Sequence, residues 1–424
     1  MHVTIRRALF VILLVIILLI IWCIVHDDLL LRLIVILSLI TITSFFEVQQ
    51  RINNIEITRT ARHAMMQYGK YFDQRVEIIN NSNLTVRKLE IEDQSDLPGS
   101  LGSRVFEIIP RKQTANYSWR TLLSKRGIFD LGPTYLRIND DFSFYKFEKL
   151  FSATQSVMVL PAVEQITNFP IAGGSQRNGI IAKRPSRSVT PQAAGVREFS
   201  AGDDLNHIHW PYSIKKNTLM VKEFDQDLAK SYWILLDSDR DVHYTLTENV
   251  TISRGVNLNN LGSLGREVKL PGNTFEYAIS IVASISKYFY DKSTPYGFFS
   301  SAQTPISFAP DKNDRHFTKI MQALAILQPE GKVSIADLVA TYSNHIPSNS
   351  TAIIISPRID QQMFLINDLM NAKKIECIFI FIDASTFGGP SQNEDVIKTL
   401  KTTRSTKYFI ECGQSIGKTL SNEN

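Results

Sequence analysis

The chain has 424 residues, 44% of them hydrophobic and 21% charged, with a formal net charge of +5, so it has the means to bury a substantial core. The modest positive charge is not gathered into a lysine and arginine stripe interleaved with aromatics, which argues against nucleic-acid binding. Cys23, Cys377 and Cys412 form neither a C-x-x-C pair nor a disulfide framework, as expected of a reducing cytoplasm.

The first 50 residues read as a membrane hairpin. ALFVILLVIILLIIWCIV (8–25) and LLLRLIVILSLITITSFF (29–46) are apolar runs parted by His26, Asp27 and Asp28. Each is about 18 residues long, and as a helix just covers a roughly 30 Å hydrocarbon layer. Neither run shows strand alternation, so two short antiparallel transmembrane helices are expected, at about 8–25 and 29–46. Arg6 and Arg7 precede the first and Arg51, Arg59 and Arg62 follow the second, which places both ends and the bulk of the chain on the cytoplasmic side of a bacterial inner membrane, beside anionic lipid. A cleaved signal peptide competes with this reading, but no small-x-small site follows the first run and a second run does. A lipoprotein signal fails at Trp22, which stands before Cys23 where a small residue is needed. Arg32, one turn inside the second helix, is expected to snorkel to the outer interface.

Residues 51–73 read as a polar-to-mixed connector that can start as helix where the chain leaves the bilayer. Over 74–165 the texture becomes short alternating segments (RVEIIN, LTVRKLEIED, RVFEIIP, YLRIND, SVMVLP) with turn punctuation, the pattern of a small antiparallel β sandwich or barrel. A linker (166–194) follows, rich in Gly, Ser and basic residues around 172–191. From 229 to 415, before a short tail (416–424), apolar strands alternate with amphipathic helices. YWILLDS (232–238), YGFFS (296–300), TAIIIS (351–356), IECIFIFID (375–383) and KYFIEC (407–412) are the strands. After Gly272, Asn273 and Glu276 form a capping box, and Phe275, Ile279, Val282, Ile285 and Phe289 mark one helical face. Phe317, Ile320, Met321, Leu324 and Leu327 mark another, ended by Pro329. A doubly wound α/β domain is the expected unit, giving a multidomain α+β chain. Segment 249–271 has no clear period and reads as a lid or an insertion.

Between linker and sheet, residues 195–228 hold the densest cluster of unusual residues, GVREFSAGDDLNHIHWPYSIKKNTLMVKEFDQDL. Gly202 before Asp203 and Asp204 suits a tight turn, and either aspartate could cap a short helix holding His207, Ile208 and Trp210. TLMVKEF (218–224) alternates as a strand. Arg197, Glu198, Asp203, Lys215, Lys222 and Glu223 supply both charge signs around Trp210, either as an ion-pair network or as solvated loop charge.

This stretch resembles the signature of the bacterial family called domain of unknown function 58, V-R-E-Y-x-x-G-D-x-x-R-x-I-H/D-W-x-x-S-A-R followed by L-x-V-K-x-x-E. Val196, Arg197, Glu198, Gly202, Asp203, Ile208, His209, Trp210, Ser213, Leu219, Val221 and Lys222 match it. RGIFDLGPTYLRINDDF (126–142) is similar to the family's R-G-x-x-x-L-G-P…D-P-F-G. Departures are Phe199 for tyrosine, Asn206 or His207 for arginine, Ile214 for alanine, Lys215 for arginine, and Asp141 and Ser143 for the proline and glycine. The resemblance implies a von Willebrand factor A-like domain after the signature. It also implies partnership with a MoxR-type AAA+ ATPase and a role in assembling or activating envelope or metal-containing client proteins. No enzymatic activity is established for that family.

A von Willebrand A domain can hold Mg²⁺ through D-x-S-x-S at the end of its first strand plus a distant threonine and aspartate. Here YWILLD runs into Asp237, Ser238, Asp239, Arg240 and Asp241: aspartates replace both serines, and Pro357 stands where the distant aspartate is expected. Asp237, Ser238 and Asp239 are thus poor metal candidates, and the alternative is an acidic loop, Asp237, Asp239 and Asp241, facing a partner at the carboxyl edge of the sheet. His207 and His209 are spaced poorly for chelation. No G-x-S-x-G elbow, Walker A loop or H-E-x-x-H occurs, and Ser213 lacks an oxyanion-hole signature. The sequence points to a membrane-anchored, non-enzymatic adaptor without cofactor. Arg197, Glu198, Asp203, Trp210 and Lys222 would brace its β and α/β parts. The alternatives are a divalent-metal-dependent ligand-binding domain and an envelope hydrolase using the signature carboxylates.

Overall fold

The computed structural model describes residues 2–4, 6–61, 64–152, 155–169, 193–200, 208–224, 231–246, 270–302, 304–391, 394–402 and 405–421, with the side chains of 2–4, 6–8, 193–197, 222–224, 394, 401 and 402 left aside. Two compact units emerge, one built mainly on Met1–Val163 and the other on Glu164–Arg254, Leu270–Phe317 and Gln328–Asn424.

The first unit begins with β1 (His2–Thr4), α1 (Arg6–Val25) and α2 (Asp28–Asn53). Asp27 caps α2 by accepting the Leu29 N–H at 3.0 Å. α2 is long and apolar enough to cross a membrane; the apolar stretch of α1, Leu9–Val25, is shorter, and the two helices lie against each other. Then come β2 (Ile55–Ala61), β3 (Met65–Gln67), β4 (Tyr71–Asn80), β5 (Val86–Asp93), β6 (Arg104–Ile109), β7 (Thr114–Leu122), β8 (Gly127–Leu131), β9 (Thr134–Asn139), β10 (Lys146–Phe151) and β11 (Gln155–Leu160). They form a five-stranded sheet in the order β1-β10-β9-β5-β6 and two three-stranded sheets, β2-β4-β7 and β3-β11-β8. All ladders are antiparallel except β3 with β11.

β4 shows why these sheets pack. Phe72, Gln74, Val76 and Ile78 point inward and the residues between them outward, the two-residue period of a strand with one wet face. Val76 and Ile78 meet Leu89, Ile91, Leu136, Ile138 and Phe147 from the five-stranded sheet. The last turns of α2 enter the same core. Val48 and Ile52 are fully buried there, and Phe45 packs on Tyr145 and Phe147. Each such apolar side chain contributes about 1.5–3 kcal/mol when fully buried.

The described residues of the stretch read as a connector, 51–61 and 64–73, are held mostly in helix and strands. α2 continues seven residues past Phe46 to Asn53, because Val48 and Ile52 recur at helical spacing on its protein-facing side while Glu47 and Gln50 face outward. The strands β2 and β3 fill the rest, and IEITRTA alternates as β2 against β4.

The second unit opens with β12 (Ala193–Glu198), α3 (Trp210–Lys216) and β13 (Met220–Phe224), the two strands forming an antiparallel ribbon. It continues with β14 (Tyr232–Leu236), α4 (Thr274–Asp291), β15 (Tyr296–Ser300), β16 (Ile306–Asp311), the start of α5 (Asp314–Ile326), whose residues from Thr318 on group with the first unit, α6 (Ile335–Tyr342), β17 (Thr351–Ser356), α7 (Gln362–Ala372), β18 (Glu376–Ile382), α8 (Glu394–Thr402), β19 (Thr406–Ile410) and α9 (Ile416–Leu420). The sheet order is β16-β15-β14-β17-β18-β19, parallel except for the edge strand β16. This is a doubly wound order. Trp233 and Leu235 face α6 and α7, while Tyr232 stacks at 4.6 Å on Phe289 of α4, so both faces are covered. Asn273 caps α4, accepting the Phe275 and Glu276 N–H groups at 2.7 and 3.3 Å, and Phe275, Ile279, Val282, Ile285 and Phe289 are all buried as the sequence pattern requires. β16 escaped that reading because ISFAPD is half exposed and contains Pro310, which an edge strand tolerates.

Candidate functional site

The crevice of a doubly wound sheet opens where the strand order reverses, here between the carboxyl ends of β14 and β17. β14 runs directly into Asp237, Ser238 and Asp239, and β17 into Pro357 and Arg358. The backbone ladder brings the two ends together, with Asp237 N–H donating to the Ile355 carbonyl at 3.0 Å.

Asp237 is completely buried. Its Oδ2 accepts the Ser356 hydroxyl at 2.7 Å and its Oδ1 accepts the Asp239 N–H at 3.2 Å. Burial still dominates and pushes its pKa up to about 6, while the bonds from Ser356 and Asp239 and the charge of Arg358 pull the other way. Ser238, also buried, donates its N–H to Ser301 Oγ at 2.9 Å and pairs its hydroxyl with that of Ser300 at 2.7 Å. Asp239 accepts Arg358 Nη2 at 3.0 Å on one carboxylate oxygen and the Asp241 N–H at 3.2 Å on the other. A short 3₁₀ turn, Arg240–Val242, follows from that cap.

His243 closes the back of the loop. Its Nε2 lies 3.0 Å from the Asp237 carbonyl oxygen and its Nδ1 lies 3.1 Å from Thr274 Oγ1. A carbonyl only accepts, so Nε2 carries the proton. Burial lowers the pKa of this imidazole to about 4 and keeps it neutral. Gly331 presses on the loop from the other side, donating its N–H to the Ser238 carbonyl at 2.9 Å. A Cβ there would stand 2.1 Å from the Ser301 carbonyl oxygen and 2.7 Å from that of Ser238, so only glycine fits.

These residues do not suit a divalent cation. The Ser238 hydroxyl is committed to Ser300, the Asp237 carboxylate to Ser356 and a backbone N–H, and a guanidinium already neutralises Asp239. Among the described residues no group of three His, Cys, Asp or Glu side chains is placed to hold a metal ion. The acidic loop also differs from a solvated rim. Asp237 and Asp239 are buried, and of the three aspartates only Asp241 reaches solvent; Asp360, half exposed near Arg358, supplies further negative charge at this edge.

No protein-family model matches the chain. An uncharacterized protein of Bacillus subtilis (strain 168), YeaD, is 20% identical over 240 residues, which are 56% of this chain and 51% of that protein, so the chain spans about half the length of the curated relative it matches. Among solved structures, an aerotolerance-related membrane protein from Bacteroides fragilis is similar at 12% identity over 46% of this chain and 96% of that one, with a TM-score of 0.28. A CARDB domain from Pyrococcus furiosus, solved with di-metal ions, is similar at 9% identity over 25% of this chain and 91% of that one, with a TM-score of 0.19.

In the signature segment, Gly202, Asp203, Asp204 and His207 lie outside the described residues, as do the 172–191 linker and most of 249–271. Arg197 and Lys222 are placed by backbone only, opposite Val221 and Val196 in the β12–β13 ribbon. His209 caps α3, its Nδ1 accepting the Tyr212 N–H at 3.2 Å. Ser213 is buried and accepts the Met220 N–H at 2.8 Å while donating to the His209 carbonyl at 3.0 Å. That hydroxyl ties α3 to β13 and is not positioned as a nucleophile. Glu198 is exposed and Trp210 is 60% exposed, so the indole is not the buried centre of an ion-pair network.

Sequence reasoning missed Arg358, Ser356, His243 and Gly331. Arg358 had one available signal, a basic residue just after a strand end whose neighbouring strand end is acidic. It also missed a buried ion pair in the first unit. Arg59 of β2 donates to both carboxylate oxygens of Asp93 at 3.0 and 2.9 Å and to Gln74 Oε1 at 2.8 Å, with its guanidinium 5.3 Å from the Trp119 ring centroid.

Proposed function

We propose that this protein is a membrane-anchored, non-enzymatic adaptor of the domain of unknown function 58 type. The observation that carries the proposal is the unbroken course of α2 from an apolar, membrane-compatible stretch into the core of the β unit through Val48 and Ile52. α1 and α2 together form a transmembrane hairpin in the bacterial inner membrane, with the bulk of the chain in the cytoplasm. The doubly wound unit acts as a von Willebrand A-like docking module that works without a bound divalent ion, since Arg358 supplies the positive charge at its crevice. The carboxylates of Asp237 and Asp239 and the hydroxyls of Ser238 and Ser356 are already committed to partners, which favours recognition over catalysis.

The partner is a MoxR-type AAA+ ATPase, and the client an envelope or metal-containing protein. Asp241, exposed, and Asp360, half exposed, are the acidic groups at the crevice through which the ATPase is recognised. Co-purification of the full chain from detergent with the ATPase, before and after Asp241→Lys and Asp360→Lys, tests the reading. Loss of the complex in the double variant is expected. Retention of equal complex by that variant would remove the crevice as the docking face.

A further inference from the structure

The turn between β9 and β10 is aimed at the place where both apolar helices begin or end. β1 pairs antiparallel with β10, Thr4 opposite Lys146 and His2 opposite Glu148, so residues 140–145 lie on the side toward which the chain leaves β1 for α1. From α2, Phe45 packs its ring 5.4 Å from that of Tyr145 and 5.5 Å from that of Phe147. Arg51 Nη2 is 3.7 Å from Asp141 Oδ2. The turn therefore stands level with the Phe46–Glu47 boundary, where the α2 sequence changes from apolar to polar.

Its acidic residues are internally satisfied. Asp140 is buried and accepts the Tyr145 N–H at 2.7 Å and the Phe142 N–H at 3.3 Å, which fixes the turn. Asp141 lies between Arg51 and Arg87, the latter 3.8 Å away. Besides the exposed Asp141, the turn presents aromatic side chains outward. Phe142 is 59% exposed and stacks on Phe144 with ring centroids 5.5 Å apart, and Phe46 on α2 is 62% exposed. Exposed Lys146 and Arg87 flank them. Aromatic rings beside basic side chains are the chemistry of the bilayer's headgroup zone.

We propose that the β9–β10 turn is a lipid-contacting finger. Phe142, backed by the half-buried Phe144, seats at the boundary between headgroups and acyl chains of the leaflet that holds the end of α2, continuous with Phe46, and Lys146 faces anionic phosphates beside the Arg87–Asp141 pair. The inference rests on the reading of α2 as a membrane span, and it adds a second attachment that fixes how the β unit stands on the bilayer.

The test uses the full chain in nanodiscs containing phosphatidylglycerol, with Cys23→Ser and Cys412→Ser to remove the accessible thiols, Cys377 being buried. Nitroxide labels are placed singly by Phe142→Cys, by Ile36→Cys on the exposed side of α2, and by Glu77→Cys on the wet face of β4. Collisional relaxation by oxygen and by a water-soluble nickel chelate is then compared. A label at 142 that favours oxygen several-fold more than the one at 77, though less than the one at 36, is the expected result. A label at 142 that behaves like 77 while 36 favours oxygen overturns the finger and leaves the anchor standing. Water-like behaviour at both 142 and 36 overturns the anchor and the finger with it. Shielding of 142 from both agents marks a protein contact and also overturns the proposal.

Discussion

Asp237→Asn isolates two titrations that oppose each other in the wild-type crevice. The Asp237 carboxyl is raised from 3.8 to about 6 by burial, so its contribution to stability is fully present below pH 3.8 and lost as pH rises through about 6. His243 is depressed from 6.5 to about 4, so its contribution is present above pH 6.5 and lost as pH falls through about 4. At about 1.4 kcal/mol per pH unit, each gap amounts to ~3 kcal/mol, and over pH 4–6 the two nearly cancel. The asparagine keeps an acceptor for the Asp239 N–H and removes the buried charge. At pH 7.5 the variant should therefore be more stable than wild type by up to about 3 kcal/mol, and between pH 7.5 and 4.5 it should lose a similar amount that wild type does not. Urea unfolding of the full chain in mild detergent at the two pH values measures both effects. The same difference between variant and wild type at pH 4.5 and 7.5 would refute the account of the buried carboxyl.

Three other substitutions probe separate features. Arg358→Ala leaves Asp239 without its cation and should lower stability by about 1–3 kcal/mol, as read by thermal shift. Asp93→Ala strands a buried guanidinium in the β unit and should cost about 3–5 kcal/mol, whereas Arg59→Met with Asp93→Leu should recover most of it, measurable by denaturant midpoints. Gly331→Ala forces a Cβ into the Ser301 carbonyl and should destabilise the second unit by about 2–3 kcal/mol, with faster amide exchange along the loop after β14 as its signature.

Much of the architecture can be read from residue order because the forces involved are local. The apolar runs, the fully buried strands YWILL and TAIIIS, and the Asn273 cap with its Phe275-to-Phe289 stripe each carry their signal within one element. The end of α2 was legible in part, since Phe45, Val48 and Ile52 repeat at helical spacing, whereas β2 was hidden because its inward residues are few and alternate with charge. The crevice was legible only as a loop at a strand end. Its meaning depends on partners 119 residues apart, Asp237 with Ser356 and Asp239 with Arg358, which no periodicity announces. The exposed Trp210 shows the converse: a rare residue in a dense motif need not be in the core.

The fused end of α2 gives the first unit the mechanics of a mast stepped directly into a hull, with no swivel between them. Bilayers of different thickness tilt a spanning helix to match its apolar length. With α2 in a bilayer as proposed, a lean imposed on it by the surrounding lipid would swing the strands buttressed against Val48 and Ile52 with it.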